Sequence, residues 1–366
     1  MQQTIDWDLI RKNYQLPNQK VYFNSSSFGA LSNRTVKVQL ECLASWQLNG
    51  NTILGEAHDA AKYLRKEFLN LLNAQDHQSA VLSDVSTGMN LLAEVFGRDK
   101  RIALLEKDFP AVNMPFIGRG FNIQWVKRAN YYHDLSRLED VLEQGVDVLV
   151  MSWVMYNTGQ KMDIHAIGEL CKKYGTVFAL DATQGLGAHS LDLSQVNVDV
   201  LLCSCFKWFL AGYGTCMMVC KNSFVRDFPI QAAGQYTIIS AEADLLDPDN
   251  HRQGIERLEL GHIKILPVLA LKESFSELVD IGFTSVQERT HQLMKQLHLS
   301  LEQSNIEVLT PVQRSNNIVM IEGTPERVKK LEQANIGCTY RNGLIRFGIY
   351  FYNNEDDILA LIRALN

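Results

Sequence analysis

Three short apolar runs within residues 177–219 constrain this chain more than any other stretch. The first is Val177-Phe178-Ala179-Leu180, the second spans Val198 to Cys203 with Asp199 inside it, and the third follows the Gly212-Tyr213-Gly214 turn. Runs this short, bounded by turn signals, fit strands buried on both faces of a sheet. Asp181 closes the first run and Ser204 the second, with Gln184 and Lys207 just beyond them. These residues therefore stand at strand ends, where open α/β sheets gather their ligands.

An Asp and a Lys at neighbouring strand ends suit one cofactor, pyridoxal phosphate. It needs a lysine amine to hold it as a Schiff base and a carboxylate facing its ring nitrogen. The carboxylate keeps that nitrogen protonated, because a nearby opposite charge favours the charged form. On this reading Lys207 carries the cofactor, Asp181 faces the ring nitrogen, Gln184 donates to the ring hydroxyl and Ser204 to the phosphate. A lone lysine is more often a solvated surface residue, but Lys207 lies between buried runs and beside Trp208.

At these residues the chain resembles a known family. The segment D-A-T-Q-G-L-G-A-H-S-L-D-L from Asp181, then S-x-x-K-W from Ser204, then G-x-G-T from Gly212, is similar to the class V aminotransferases. These are fold-type I pyridoxal phosphate enzymes, a family that also holds cysteine desulfurases, kynureninase and isopenicillin N epimerase. The resemblance implies the same roles for Lys207, Asp181 and Gln184. It also exposes a departure: desulfurases have His before the lysine, and here it is Phe206.

Further segments extend the resemblance. Ser83-Asp84-Val85-Ser86-Thr87-Gly88 falls between a strand and a helix, where free N–H groups and the helix dipole suit a phosphate; the same residues also suit an ordinary N-cap. The family pattern G-T-T-x-x-x-N, aligned on Asn90, puts its threonines on Val85 and Ser86 and its Gly on Asp84. Ser86 is then the expected phosphate ligand and Thr87 the second choice. Asp108-Phe109-Pro110 resembles E-F-P or E-H-H, which implies that the Phe109 ring stacks on the cofactor; an aromatic face suits that geometry. In Trp153 to Gly159, either Tyr156 or Asn157 falls where relatives contact the ring hydroxyl. Arg257-Leu-Glu-Leu-Gly-His262 resembles R-F-E-x-G-T, whose Thr reaches the partner subunit's phosphate; His262 stands in its place, with a surface histidine as the alternative. The R-x-G-x-x-R pattern from Arg341 implies that Arg346 binds the substrate α-carboxylate, a task a guanidinium performs with two parallel bonds. Asn24-Ser25-Ser26-Ser27 reads either as a plain turn or as the family's N-terminal segment near the substrate, with Asn24 and Ser26 as contacts.

Size and composition narrow the function. A chain of 366 residues has room for a large and a small domain with a sizeable core. Hydrophobic content of 46% and charged content of 21% are ordinary for a globular protein. A formal charge of −6 argues against a nucleic-acid surface. No run approaches the ~18 apolar residues of a spanning helix, and the N-terminal stretch has no signal core. The seven cysteines lie mostly in apolar runs, as reduced thiols of a cytoplasmic protein do. Nearby histidines lack metal-site spacing, so no metal is expected. The glycines Gly185-x-Gly187-x-x-Ser190 lack a third Gly and an acidic partner, so no dinucleotide is expected either.

The expected fold is α/β, a fold-type I enzyme with a mostly parallel seven-stranded sheet and a smaller C-terminal α+β domain. The large domain is placed over 20–262 and the small one over 1–19 and 263–366. Helices are expected over 34–49, 56–73, 164–174, 267–282, 284–303, 325–334 and 355–365, with strands near 306–309, 318–321 and 344–347. The resemblance implies a homodimer with shared active sites and an amino-acid substrate handled through an external aldimine, with Lys207 moving the proton. Aminotransferase is the favoured activity, with a carbon–sulfur lyase or an epimerase as alternatives. A cofactor-less partner protein that keeps the fold is the rival of another class. A cysteine desulfurase of the usual kind is not expected, because Phe109 and Phe206 replace its histidines and Cys338 lies in a segment too short for a reaching loop.

Overall fold

The structure, a computed structural model, describes residues 5–16, 21–240, 242–247, 249–310 and 317–366. Its strands in chain order are β1 (Val21–Tyr22), β2 (His77–Leu82), β3 (Arg101–Leu105), β4 (Asn122–Val126), β5 (Val148–Ser152), β6 (Val177–Asp181), β7 (Val200–Ser204), β8 (Cys216–Lys221), β9 (Ile318–Glu322), β10 (Ile336–Gly337), β11 (Thr339–Arg341) and β12 (Leu344–Gly348). The large sheet has seven strands in the order β2-β8-β7-β6-β5-β3-β4. Only β8 runs antiparallel to its neighbours. The sheet is thus α/β and mostly parallel.

Why these runs become central strands is visible in their burial. Alternate residues of β5, β6 and β7 feed two separate cores: Leu149, Phe178 and Leu201 face one, and Val150, Ala179 and Leu202 the other. Burial on both faces explains why the runs are continuously apolar. The helix Ile164–Tyr174 between β5 and β6 starts at the Asp163 N-cap, whose side chain accepts from Ala166 N–H. It ends at Gly175 in the left-handed region, a position that suits a residue without a Cβ.

The chain passes from β3 outward to β4 and then returns to lay β5 on the other side of β3. Loops leaving β3 and β5 therefore diverge at a topological switch point, where such sheets open a crevice. The smaller sheet, β11-β12-β9, is antiparallel. Helices Phe283–Gln303, Pro325–Gln333 and Glu355–Leu365 accompany it. Leu297, Val319, Ile345, Phe347 and Leu361 share its core. The N-terminal β1 pairs with β10, and Asn24 bridges to Gly348. Residues 21–24 are thus stitched to the C-terminal layer although they precede the whole large sheet.

Several local expectations change. The strand expected over 306–309 is a single bridge between Val308 and Ile321. Strand β4 and the helices Pro110–Gly118 and Leu135–Leu142 appear without having been anticipated. Strand β4 sits at the sheet edge and is largely exposed, so its sequence carries no apolar run. Ahead of β1, Trp7–Arg11 is helical. Residues 1–4 and 17–20, and with them the expected boundary at residue 20, lie outside the described residues. No helix among the described residues is long and apolar enough to cross a membrane.

Candidate active site

A cavity of 580 Å³ opens at the switch point. The loop after β3 brings Phe109 to it, the loop after β5 brings Tyr156 and Asn157, and the turn after β7 brings Lys207. Ser26, Gln184 and Arg346 complete the set of expected residues on its wall. Residues more than 300 positions apart in sequence thus meet around one space.

Lys207 is buried, and its ammonium position lies 5.8 Å from the Phe109 ring centroid and 5.5 Å from that of Phe206. Burial, reinforced by the Arg346 charge, brings the amine down to about 8, against the opposing pull of Asp181. Asp181 is itself buried and accepts from Thr183 N–H at 2.9 Å. Burial pushes its carboxyl up, opposed by the Thr183 bonds and by the Lys207 charge. Asp181 does not line the cavity; it acts on Lys207 from behind the wall.

Arg346 has the surroundings of an anion receptor. Its Nη1 donates to the Tyr156 carbonyl at 2.6 Å and its Nη2 to Ser27 Oγ at 2.5 Å. Burial, together with the Arg341 charge, pulls the guanidinium down to about 10. Among the described residues it has no acidic partner within ion-pair distance, and its buried Nε has no hydrogen-bond partner. Ser26 Oγ and Asn157 Oδ1, also on the cavity wall, are buried without partners as well. Buried polar atoms are rarely left unpaired, so a cavity ringed by such atoms is built for a polar ligand.

The loop carrying Phe109 is pinned from below. Asp108 accepts from Ser152 N–H at 2.8 Å, Ser152 Oγ at 2.7 Å and Phe109 N–H at 2.6 Å, bridging β5 to the loop after β3. Burial raises its carboxyl to about 6 against those bonds. Lys107, just before it, takes a left-handed φ of 62°, a strained conformation for a side chain this long. The Phe109 ring meets Tyr156 edge-on at 5.1 Å. Gln184 is oriented at both ends: its Nε2 donates to the Ser26 carbonyl at 2.8 Å and its Oε1 accepts from Trp208 Nε1 at 3.2 Å.

The remaining expected residues lie elsewhere. Asn24 stands one layer back, where its Oδ1 accepts from Thr339 Oγ1 at 2.6 Å. Ser204 ends β7, its N–H donating to Thr183 Oγ1 at 3.0 Å. Thr87 and His262 line a second, smaller cavity of 160 Å³ and not the one holding Lys207. Ser86 lines neither cavity, and its carbonyl accepts from Asn90 Nδ2. The donors at this helix start are partly engaged already. Asp84 accepts from Thr87 N–H at 2.8 Å and from Thr87 Oγ1 and Ser83 Oγ at 2.9 Å. Burial opposes its charge, but these bonds together with the Ser86 N–H hold its carboxyl below the ordinary range.

Sequence reasoning did not single out Lys107, Arg128, Tyr213 or Thr339, all of which line the large cavity. Only their position after a strand end or in a turn could have pointed to them, since none sits in an apolar run. Phe206, noted as the absence of a histidine, packs on Tyr213 at 4.6 Å, and Tyr213 packs on Phe28 at 4.8 Å. An aromatic wall replaces the missing donor. None of the seven free cysteines lines the cavity. Cys338 is partly buried against the small-domain core, and burial raises its thiol to about 11. Among the described residues no group of three or more metal-ligating side chains could hold an ion.

Comparison with known proteins agrees with this architecture. An uncharacterised aminotransferase of Schizosaccharomyces pombe is 24% identical over 95% of this chain and 92% of its own length. A kynureninase of Koribacter versatilis is 26% identical over 80% of this chain and 75% of its own. The structure of a cysteine desulfurase from Thermococcus onnurineus NA1 superposes with a TM-score of 0.85, covering 99% of this chain and 98% of that one at 18% identity. A C-DES variant holding glycine covalently linked to its PLP cofactor superposes with a TM-score of 0.87 over 99% of both chains at 19% identity. The profile described as aminotransferase class-V matches residues 34–361. With nearly its whole length accounted for, the chain belongs to the aminotransferase class-V family.

Proposed function

We propose that this protein is a pyridoxal phosphate-dependent aminotransferase acting on an amino acid. The observation that carries the reading is the setting of Lys207, a buried amine lowered to about 8 on the wall of a cavity that Arg346 also lines. The residues fit the cofactor. Lys207 would hold its aldehyde carbon, Phe109 would cover a ring face, Gln184 and either Tyr156 or Asn157 would hold the ring edge, and Asp181, behind the wall, would favour a protonated ring nitrogen by its charge. Ser204 and Ser86 are the phosphate donors of this proposal, with Thr87 engaged by Asp84. The cofactor, when bound, supplies a sink for the electron pair left at the substrate Cα.

The chain's own residues do the rest. Arg346 holds the substrate carboxylate, which fixes the Cα hydrogen relative to Lys207. Lys207 Nζ, neutral above about 8, would take that proton and hold it for return to the substrate. The cavity wall carries no His, Cys, Asp or Glu. A single proton carrier serves transamination, whereas a desulfurase needs a thiolate on the wall. The buried, weakly acidic Cys338 speaks against that role. A homodimer with His262 of each chain near the other's site belongs to this proposal. It is supported by the exposed apolar stripe Val36, Leu40 and Leu43 on the helix Asn33–Asn49. The buried reduced thiols suit a cytoplasmic location. We assign residues 20–262 to the cofactor-binding domain and residues 1–19 and 263–366 to the small domain.

The test incubates the purified protein with pairs of amino acid and 2-oxo acid and measures the new amino acid formed. Transfer that is lost in Lys207→Ala supports the reading. Release of ammonia or sulfide without transfer would replace it by the lyase, and inversion of stereochemistry by the epimerase. A protein without visible absorbance that takes up no added cofactor would leave only the partner-protein role.

A further inference from the structure

The large cavity is lined by five cationic residues, Lys107, Arg128, Lys207, Arg341 and Arg346, and by no Asp or Glu. This concentration of positive charge belongs to a chain whose formal charge is −6. None of the five takes part in an ion pair among the described residues, and Glu106, whose carboxylate feels the Arg128 charge, is itself paired with Lys127. The cations act on one another instead: Arg341 pulls down Arg346, and Arg346 pulls down Lys207. Lys107 and Arg341 are exposed and the other three are partly or fully buried; Asp181 opposes the Lys207 charge and Glu106 feels that of Arg128, yet no acid shares the cavity lining, so an anionic occupant lowers the free energy of the cavity.

Lys207 and Arg346 already have work in the proposed reaction, and Ser204 and Ser86, the proposed phosphate donors, lie off this wall. Three cations are left over. Arg341 ends β11, which pairs with the strand β12 that presents Arg346, Arg128 follows the end of β4 with its guanidinium 5.9 Å from the Tyr131 ring, and Lys107 follows β3 two residues before Phe109. We propose that these three receive a second negative charge on the substrate, so that the amino acid taken is one with an anionic side chain, a carboxylate, phosphate or sulfonate. The inference rests on the proposed aminotransferase reading and names its substrate class. Guanidinium and ammonium groups lining a cavity select such a group by charge-assisted bonds, and a neutral isostere leaves them unmatched.

The experiment titrates the cofactor-loaded protein by visible absorbance with matched pairs: L-glutamate against L-glutamine, L-aspartate against L-asparagine, and O-phospho-L-serine against L-serine. Calorimetry with glutarate against butyrate reads the same preference without turnover. At least one anionic member should half-saturate at about one-tenth or less of the concentration its neutral partner needs, the ratio expected when one ligand makes a charge-assisted bond and the other does not. Which pair shows it distinguishes carboxylate from phosphate. The ratio should shrink with added salt. Arg341→Gln and Arg128→Gln should each move it towards one, and Arg341→Lys should restore it. Equal half-saturation within every pair, or a preference that neither Gln variant changes, overturns the inference. A spectral response to neutral amino acids alone leaves the aminotransferase reading standing while sinking this one; no response to any amino acid sinks the reading beneath it.

Discussion

Gly29 and Lys207 are in backbone contact. A Cβ built on Gly29 would lie 2.0 Å from the Lys207 carbonyl oxygen, and the Gly29 N–H donates to the Phe206 carbonyl at 3.0 Å. The N-terminal segment thus lies directly on the turn that presents the buried lysine. Gly29→Ala should displace that turn, with an overpacking cost of roughly 1–3 kcal/mol. Denaturant midpoints and the fraction of Lys207 captured by pyridoxal phosphate and borohydride should both fall. Gly118→Ala, where an added Cβ meets nothing within 4 Å, should change neither. An unperturbed Gly29→Ala would show that this contact does not hold the lysine.

Peptide mass mapping after borohydride reduction should find the phosphopyridoxyl group on Lys207. Capture requires the neutral amine, so it should rise with pH through about 8, below the ordinary lysine value of 10.5. Arg346→Met removes a neighbouring positive charge and should move the midpoint upward. By linkage, the unfolded chain holds the lysine proton more tightly than the folded one. The penalty for burying Lys207 is therefore full below about pH 8 and fades as pH rises towards 10.5. A capture midpoint near 10.5 in the parent would contradict the burial argument.

Arg346→Ala should leave the cofactor spectrum intact and abolish its response to amino acids. Losing one partner of a buried charge-assisted pair costs roughly 2–5 kcal/mol. That predicts an apparent affinity reduced by well over tenfold. A variant that responds like the parent would remove Arg346 from substrate binding.

Asp108→Ala would strand the Ser152 and Phe109 N–H groups that the carboxylate now accepts. Leaving a buried donor unmatched costs about 1–3 kcal/mol. The variant should melt lower and lose part of its absorbance change on cofactor addition, because the Phe109 loop is released. Asp108→Asn retains an acceptor and should recover some of both. Equal losses in the two variants would assign the effect to charge.

Cysteine with a thiol reductant should yield no sulfide that depends on Cys338. Its thiol is raised to about 11 and sits off the cavity wall. Robust sulfide from the parent but not from Cys338→Ala would establish the desulfurase chemistry this structure argues against.

What the chain itself determined is local. The apolar runs of β6, β7 and β8 are legible because strands buried on both faces must be continuously apolar, and Asp181, Gln184 and Lys207 follow as the polar residues at their ends. The helix Ile164–Tyr174 is legible between its Asp163 cap and Gly175 stop. Strand β4 is not, because an edge strand with only Val126 fully buried carries no continuous apolar run. Only the tertiary structure decided which residues meet. It set Ser26, Tyr156 and Arg346 around Lys207, moved Thr87 and His262 to another cavity, and gathered Lys107, Arg128 and Arg341 around the same space as Lys207. Side-chain chemistry and periodicity are written residue by residue, whereas the convergence of cations from four separate segments depends on strand order and crossovers, which no local pattern encodes.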